Sequence, residues 1–449
     1  MLNFTSVRKI RFLGIGGVSM SSLARFFLLK GYDVSGTDKV FSDALLSLRN
    51  EGVRVNVGFD PSLIGSVDLA VYSSAVPSSD PELVYLRSCG VPCLERHSFL
   101  PYLSEFFSSV IAIGGTHGKT TVTSMCAVIM KENGLRFYAH IGGTSRDLGP
   151  FYYSGDDCLL TEACEYRRSM LSVSPSVAVV LNAEVDHPDT YRDKSDVFDA
   201  FDDFLASSRG LKIVGEGEYY RLRQKPFSPI TFGFSAECDY RAIDINVDKN
   251  GCYGFRILRF GVPFCDIKLS IPGKCNLTDA LAATAVCASI GIKGDVIKTA
   301  LNSFSGVKRR FEFVGEFEGN PVYVDYAHHP TEILAALDTA YSLGRKFVTV
   351  VFQPHTFSRT ARLKEEFVSA LTGCDRLIIM KEYAARETPS DGTSALALFR
   401  ECKNKEKYYA ANLVDAAALL YKKTAPGEII LVVGAGDVVN LSKIIIPTT

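Results

Sequence analysis

Two stretches of the chain share one hydrophobic pattern. In "KIRFLGIGGVSMSSLARFFLLKGYDVSGTD" (9–38) an apolar run enters a glycine turn, apolar residues then recur at helical spacing, and a second apolar run ends at Asp38. The stretch "SVIAIGGTHGKTTVTSMCAVIMKENG" (109–134) repeats the plan. Each predicts a strand, a glycine turn and an amphipathic helix, the opening of an α/β domain. Their separation puts a domain boundary in "PYLSEFFSS" (101–109). Residues 212–272 change character: short β-rich runs alternate with Gly, Asp-Lys-Asn-Gly and Pro turns, which predicts antiparallel hairpins. A helix is expected over 276–291. From about 306 onwards, "PVYVDYA", "FVTVVFQP", "DRLIIM" and "EIILVVGAG" are each followed by loop and helix. The fold class expected is α/β, with three consecutive domains at 1–107, 108–305 and 306–449. The first and last are Rossmann-like, and the central one is P-loop ATPase-like with added antiparallel strands.

Composition changes this picture little. The 449 residues are 47% hydrophobic and 22% charged, an ordinary globular balance. With 49 basic against 50 acidic residues, the chain has no electrostatic footprint for nucleic acid or an anionic membrane. No apolar stretch approaches the ~20 residues of a membrane span, and no signal-peptide layout opens the chain. Twelve cysteines without a C-x-x-C pair point to reduced thiols in a cytoplasmic protein rather than to zinc.

The candidate chemistry centres on "GGTHGKTT", Gly114 to Thr121. Gly115, Thr116, His117 and Gly118 would present backbone N–H groups to an anion where a helix begins. Lys119 would reach phosphates and Thr120 would offer its hydroxyl to Mg²⁺. The loop differs from the standard nucleotide loop, which has four residues between its glycines. Here Gly114 and Gly118 enclose three, one of them His117. In "GIGGVSMS", Gly14, Gly16 and Gly17 form a weaker fingerprint, with Asp38 at the distance of a ribose-binding acid. That turn could hold NAD(P), a nucleotide sugar or nothing, so taken alone the first domain also allows an NAD(P)-dependent oxidoreductase. Glu162 and Glu165 follow one apolar run, and Asn182, Asp186 and His187 follow another. Residues past strand ends line the crevice of an open sheet, which favours a metal site beside Thr120 over solvated charges. Arg309 and Arg310 could brace a phosphoryl group or belong to a basic linker. Asp325, His328 and His329 follow one strand of the last domain, and His355 and Arg359 follow another.

In order along the chain, "GIGGVSMSSLA", "VSGTD", "VYSSAVP", "GGTHGKTT", "EACEY", "NAEVDHPDTY", "GVKRRFE", "DYAHHPTEI", "FQPH" and "GAGD" resemble the Mur ligase family over nearly its whole length. The resemblance implies ATP-dependent amide ligation through an acyl phosphate, and within the family the branch that joins L-alanine to UDP-N-acetylmuramate in peptidoglycan synthesis. A sister branch that attaches a preformed tripeptide is the nearest alternative. The first domain, with Gly14, Gly16, Gly17, Asp38, Ser73 and Ser74, would then hold the UDP-sugar. Lys119 would stabilise the transferring phosphate, and Thr120, Glu162 and His187 would meet Mg²⁺. Asn276 would lie near adenine, Asp325 near the ribose, and Arg310 at the γ-phosphate. Glu165, His329, His355 and Arg359 would line the side where the substrates meet. Thr356, Cys275, Arg167 and Ser19 depart from the family's usual residues, which bears on selectivity more than on reaction class. A monomer or weak homodimer is expected.

Overall fold

The computed structural model describes residues 4–186, 190–222, 228–385, 387 and 395–446. Three sheets follow one another along the chain. The first has five parallel strands in the spatial order Arg54–Val57, Asp33–Asp38, Lys9–Leu13, Leu69–Tyr72, Cys93–Glu95. Chain direction switches sides at Lys9–Leu13, so a crevice opens past its carboxyl end. Helix Val18–Leu29 rises from that crevice and buries Leu23, Phe26 and Phe27.

The second sheet has ten strands. Its parallel centre runs Phe137–His140, Cys158–Ala163, Ser109–Gly114, Val177–Val180, Leu211–Gly215, Ile230–Gly233. Helices Lys119–Glu132 and Lys274–Ser289 cover it, and small residues from Ala280 to Ala288 let them approach closely. Antiparallel pairing is narrower than the sequence suggests. Within 212–272 it joins Tyr240–Val247, Cys252–Arg259 and Val262–Pro272, whereas Leu211–Gly215 and Ile230–Gly233 pair in parallel around helix Glu216–Leu222; at the opposite edge Tyr152–Tyr153 pairs antiparallel with Phe137–His140. Short β-rich runs carry no mark of direction, and the intervening helix is only 7 residues long. The third sheet runs Glu312–Phe317, Asn320–Asp325, Glu428–Val433, Phe347–Phe352, Arg376–Met380, Glu406–Ala410, parallel except for its first pair.

The joints between the three parts differ. Phe26 stacks on Tyr138 at 4.8 Å, Ser22 meets the Tyr138 hydroxyl at 2.7 Å, and Lys30 pairs with Asp156. One apolar cluster therefore runs from Phe12 and Phe27 of the first sheet into Tyr138, Leu159 and Val173 of the second. The third part meets the second largely through charged groups, described below. All twelve cysteines are free thiols. Among the described residues no helix is long and apolar enough to cross a membrane.

Candidate active site

Strand Ser109–Gly114 delivers the chain to the phosphate loop. Gly115 (φ 137°) and Gly118 (φ 83°) take backbone conformations that L side chains disfavour. A Cβ on Gly118 would lie 2.6 Å from Asp279 Oδ1. Gly118 caps helix Lys119–Glu132 without a side-chain acceptor, so the first-turn amides face the cleft as an anion site. The loop is pinned from behind by residues 182–184. Asn182 accepts from His117 N–H at 2.8 Å and donates to its carbonyl at 3.1 Å. Thr116 Oγ1 accepts from Glu184 N–H at 2.9 Å.

Lys119 donates to the carbonyls of Gly115 (2.6 Å) and Thr116 (3.0 Å) and pairs with Glu165 at 2.8 Å. Burial would lower its pKa, but the Glu165 charge raises it, so the ammonium stays charged. Glu162 is the penultimate residue of strand Cys158–Ala163 and accepts from Gly142 N–H at 2.5 Å. Here the chain needs glycines: a Cβ at Gly142 would stand 2.9 Å from Glu162 Oε2, and one at Gly143 would stand 2.7 Å from Thr120 Cγ2. The pair of glycines leaves the Thr120 hydroxyl and the Glu162 carboxylate facing one cleft. Hard oxygen donors of this kind fit Mg²⁺. His187, expected as a third metal ligand, lies outside the described residues.

The cleft encloses about 590 Å³ and is walled by all three parts: Ser73 and Arg96 from the first, Lys119 and Glu162 from the second, Arg310 and Glu332 from the third. Gly17, Ser74, Thr116, Thr120 and Glu165 also face it. Gly14, Gly16 and Asp38 stand behind this wall, where Asp38 accepts from Gly16 N–H at 2.9 Å and shapes the turn. A second cavity, about 750 Å³, lies between the central and third parts and contains Asn276, Arg310 and Phe311. Asp325 accepts from Phe311 and Ala327 N–H, each at 2.7 Å, and burial raises its carboxyl to about 6 despite Arg310.

The border between the second and third parts is densely ionic. Arg359 grips Asp186 with two hydrogen bonds of 2.9 and 3.1 Å, both side chains buried. Arg359 also meets His355 at 3.4 Å, and His355 stacks on Tyr383. His117 meets Glu332 at 3.0 Å and Glu184 at 3.4 Å. Burial would lower the His117 pKa, but the two carboxylates raise it to about 9. His329 caps helix Pro330–Ser342, whose Glu332 completes a capping box.

The sequence matches three family descriptions in the same order as the sheets. These are the Mur ligase family catalytic domain over residues 9–108, the Mur ligase middle domain over 113–287, and the Mur ligase glutamate ligase domain over 309–436. The UDP-N-acetylmuramate–L-alanine ligase of Clostridium beijerinckii is 38% identical, covering 97% of each chain. That of Acetivibrio thermocellus is 35% identical, over 99% of this chain and 96% of the relative. The chain belongs to the Mur ligase family. Among solved structures, the UDP-N-acetylmuramate–alanine ligase of Thermotoga maritima superposes with a TM-score of 0.83 at 26% identity, over 98% of both chains. A murein peptide ligase of Psychrobacter arcticus shares the fold, with a TM-score of 0.73 at 21% identity over 98% of both chains.

In this Mur ligase several residues at the cleft carry no local signature. Arg96 begins a helix of the first part, and donates to Ser19 Oγ at 3.4 Å. Ser19 in turn meets His140 Nε2 at 2.7 Å, and His140 Nδ1 meets Thr161 at 3.1 Å. Glu332 was open to detection as the N3 glutamate of a His-Pro-Thr-Glu helix start, but its contact with His117 spans 215 positions of sequence.

Proposed function

We propose that this Mur ligase joins L-alanine to the lactoyl carboxylate of UDP-N-acetylmuramate, with ATP cleaved to ADP and phosphate, in peptidoglycan precursor synthesis. The observation that carries this reading is the single cleft in which Ser73 and Ser74, the phosphate loop and Arg310 meet. A sugar nucleotide entering from the first part, ATP held on the loop and an amino acid arriving beside the third part would converge there. The domains are 1–107 for the UDP-sugar, 108–305 for ATP and 306–449 for closure and the amino acid.

In the first step a substrate carboxylate oxygen attacks the γ-phosphorus, giving an acyl phosphate and ADP. In the second, the L-alanine amine attacks the acyl carbon and inorganic phosphate leaves with the former carboxylate oxygen. Both steps gather negative charge, and preorganised cations in a water-poor cleft stabilise that charge. Lys119 lies on the loop and Arg310 faces it from the third part, so both cations reach the transferring group only when the parts are together. Thr120 and Glu162 would hold Mg²⁺, which supplies further charge neutralisation at the phosphates, and His187 is its remaining candidate ligand. Asn276 faces the second cavity, which suits the adenine end of ATP. Arg359, fixed to Asp186, would position the cleft wall next to His355 rather than roam as a free anion receptor. Exclusion of water protects the acyl phosphate until the amine arrives. Nucleotide substrates and free thiols suit the cytoplasm.

Replacement of Lys119 by Ala tests the assignment. Ligation is expected to fall by about 10²–10³-fold or more, the scale for removing one preorganised charge-stabilising donor. UDP-N-acetylmuramate binding, measured by calorimetry, should persist. Normal turnover by this variant would remove the loop from the reaction.

A further inference from the structure

The border between phosphate loop and third part contains a cluster of side chains to which the steps set out above give no role. His117 comes from the loop, Glu184 from the segment that pins it, and His329 from the cap of helix Pro330–Ser342. One donor atom from each side chain lies within 4.8 Å of the other two, the one such group of three among the described residues. The His117 and His329 rings are 5.0 Å apart. Both Nε2 atoms are buried: that of His329, a residue only 6% exposed, has no hydrogen-bond partner, and that of His117 has only its 3.4 Å charge contact with Glu184. A buried imidazole nitrogen without a partner, beside a second imidazole and a carboxylate, is an expensive arrangement to leave unsatisfied.

We propose that His117, Glu184 and His329 form a site for a divalent transition-metal ion of the zinc or cobalt type, which clasps the third part to the phosphate loop. Two imidazoles and one carboxylate are the donor set that suits such ions, whereas Mg²⁺ prefers a set made mostly of oxygen donors. The site is therefore separate from Thr120 and Glu162 in both ligands and chemistry. Tetrahedral donors about 2.0–2.1 Å from an ion stand ~3.3 Å apart. The 3.4 Å contact between His117 Nε2 and Glu184 Oε2 already has that spacing, and His329, within 4.8 Å of both, needs to approach by no more than about 1.5 Å.

The second ring nitrogen of His117 supports the assignment. Nδ1 meets Glu332 Oε1 at 3.0 Å, and Glu332 Oε2 accepts from the His328 and His329 amides at 3.0 and 3.3 Å. A carboxylate that orients Nδ1–H leaves Nε2 to face a metal. The same two glutamates raise the His117 pKa to about 9, after burial has worked against them, so the pocket already attracts positive charge. On binding, the ion would displace the proton from His117 and the long 3.3 Å cap bond that Thr331 N–H donates to His329 Nδ1.

The test is direct binding, independent of whether the chain ligates alanine. Co²⁺ is titrated into the full chain in excess Mg²⁺, with its visible absorption as the readout, and repeated with His329→Asn, Glu184→Gln, Glu162→Gln and, as a control histidine from the first part that faces Glu95 at 3.4 Å, His97→Gln. Asn is itself a good N-cap, so His329→Asn removes the imidazole while keeping the helix start. One equivalent of Co²⁺ with nitrogen-ligand bands is expected in the wild type, Glu162→Gln and His97→Gln. Affinity should drop at least tenfold in His329→Asn and Glu184→Gln. Zn²⁺ should displace the colour and raise the melting temperature of the wild type but not of His329→Asn. Absence of bands in the wild type overturns the proposal. So do bands that survive His329→Asn and vanish in Glu162→Gln, which would put the ion on the phosphate loop.

Discussion

At Gly118 a single hydrogen atom decides whether the phosphate loop closes. Its φ of 83° and the 2.6 Å approach of a would-be Cβ to Asp279 Oδ1 both exclude a side chain. Gly118→Ala is expected to destabilise by about 1–2 kcal/mol from the left-handed backbone alone, and to weaken ATP binding through the displaced loop. Chemical denaturation and nucleotide titration check this; no change in either would mean the loop is not held as described. The glycine turn and the helix start at Lys119 were legible in the sequence because a strand–glycine turn–helix is a local device, set by neighbours along the chain. Arg96, Glu184 and Glu332 were not, since each owes its place to partners from another part of the molecule. Arg359 was legible as a strand-end arginine, but its pairing with Asp186 depends on how two sheets face one another.

At the scale of elements, helix Val18–Leu29 and strand Phe137–His140 form the joint that fixes the first glycine turn beside the phosphate loop. Ser19, the helix's second residue, meets His140 at the strand's end. Burial above all, and Arg96 next, lower the His140 pKa to about 3. An unfolded histidine titrates near 6.5. Between those values the unfolded chain binds a proton that the folded chain refuses, so stability falls as pH falls below about 6.5. From pH 6.5 to 5 this histidine should contribute a loss of about 1.6 kcal/mol. His140→Gln should flatten that part of the profile; equal acid sensitivity in denaturation of both proteins would clear His140. Hydrophobic periodicity made most strands and helices legible, because buried parallel strands are nearly continuous apolar runs. It could not give the direction of Ile230–Gly233, a short strand whose two neighbours are both parallel.

Across the whole molecule, an apolar joint fastens the first part to the second, while buried ion pairs join the second to the third. Such polar interfaces permit domain motion more readily than large apolar ones. Arg359→Ala would take the guanidinium away from the buried Asp186 carboxylate and break the ion pair, at a cost of about 3–5 kcal/mol. The third part should then separate, raising the radius of gyration in solution scattering, while the Phe26–Tyr138 joint stays intact. Unchanged compactness would show that the pair does not hold the parts together. The order of three α/β units was legible from end to end, but the cleft they share exists only once they are assembled. The measurement that decides the function is phosphate release from ATP and Mg²⁺ with UDP-N-acetylmuramate, with and without L-alanine. Release that requires both substrates is expected. Release only with a preformed tripeptide, or none with any acceptor, would contradict an L-alanine ligase.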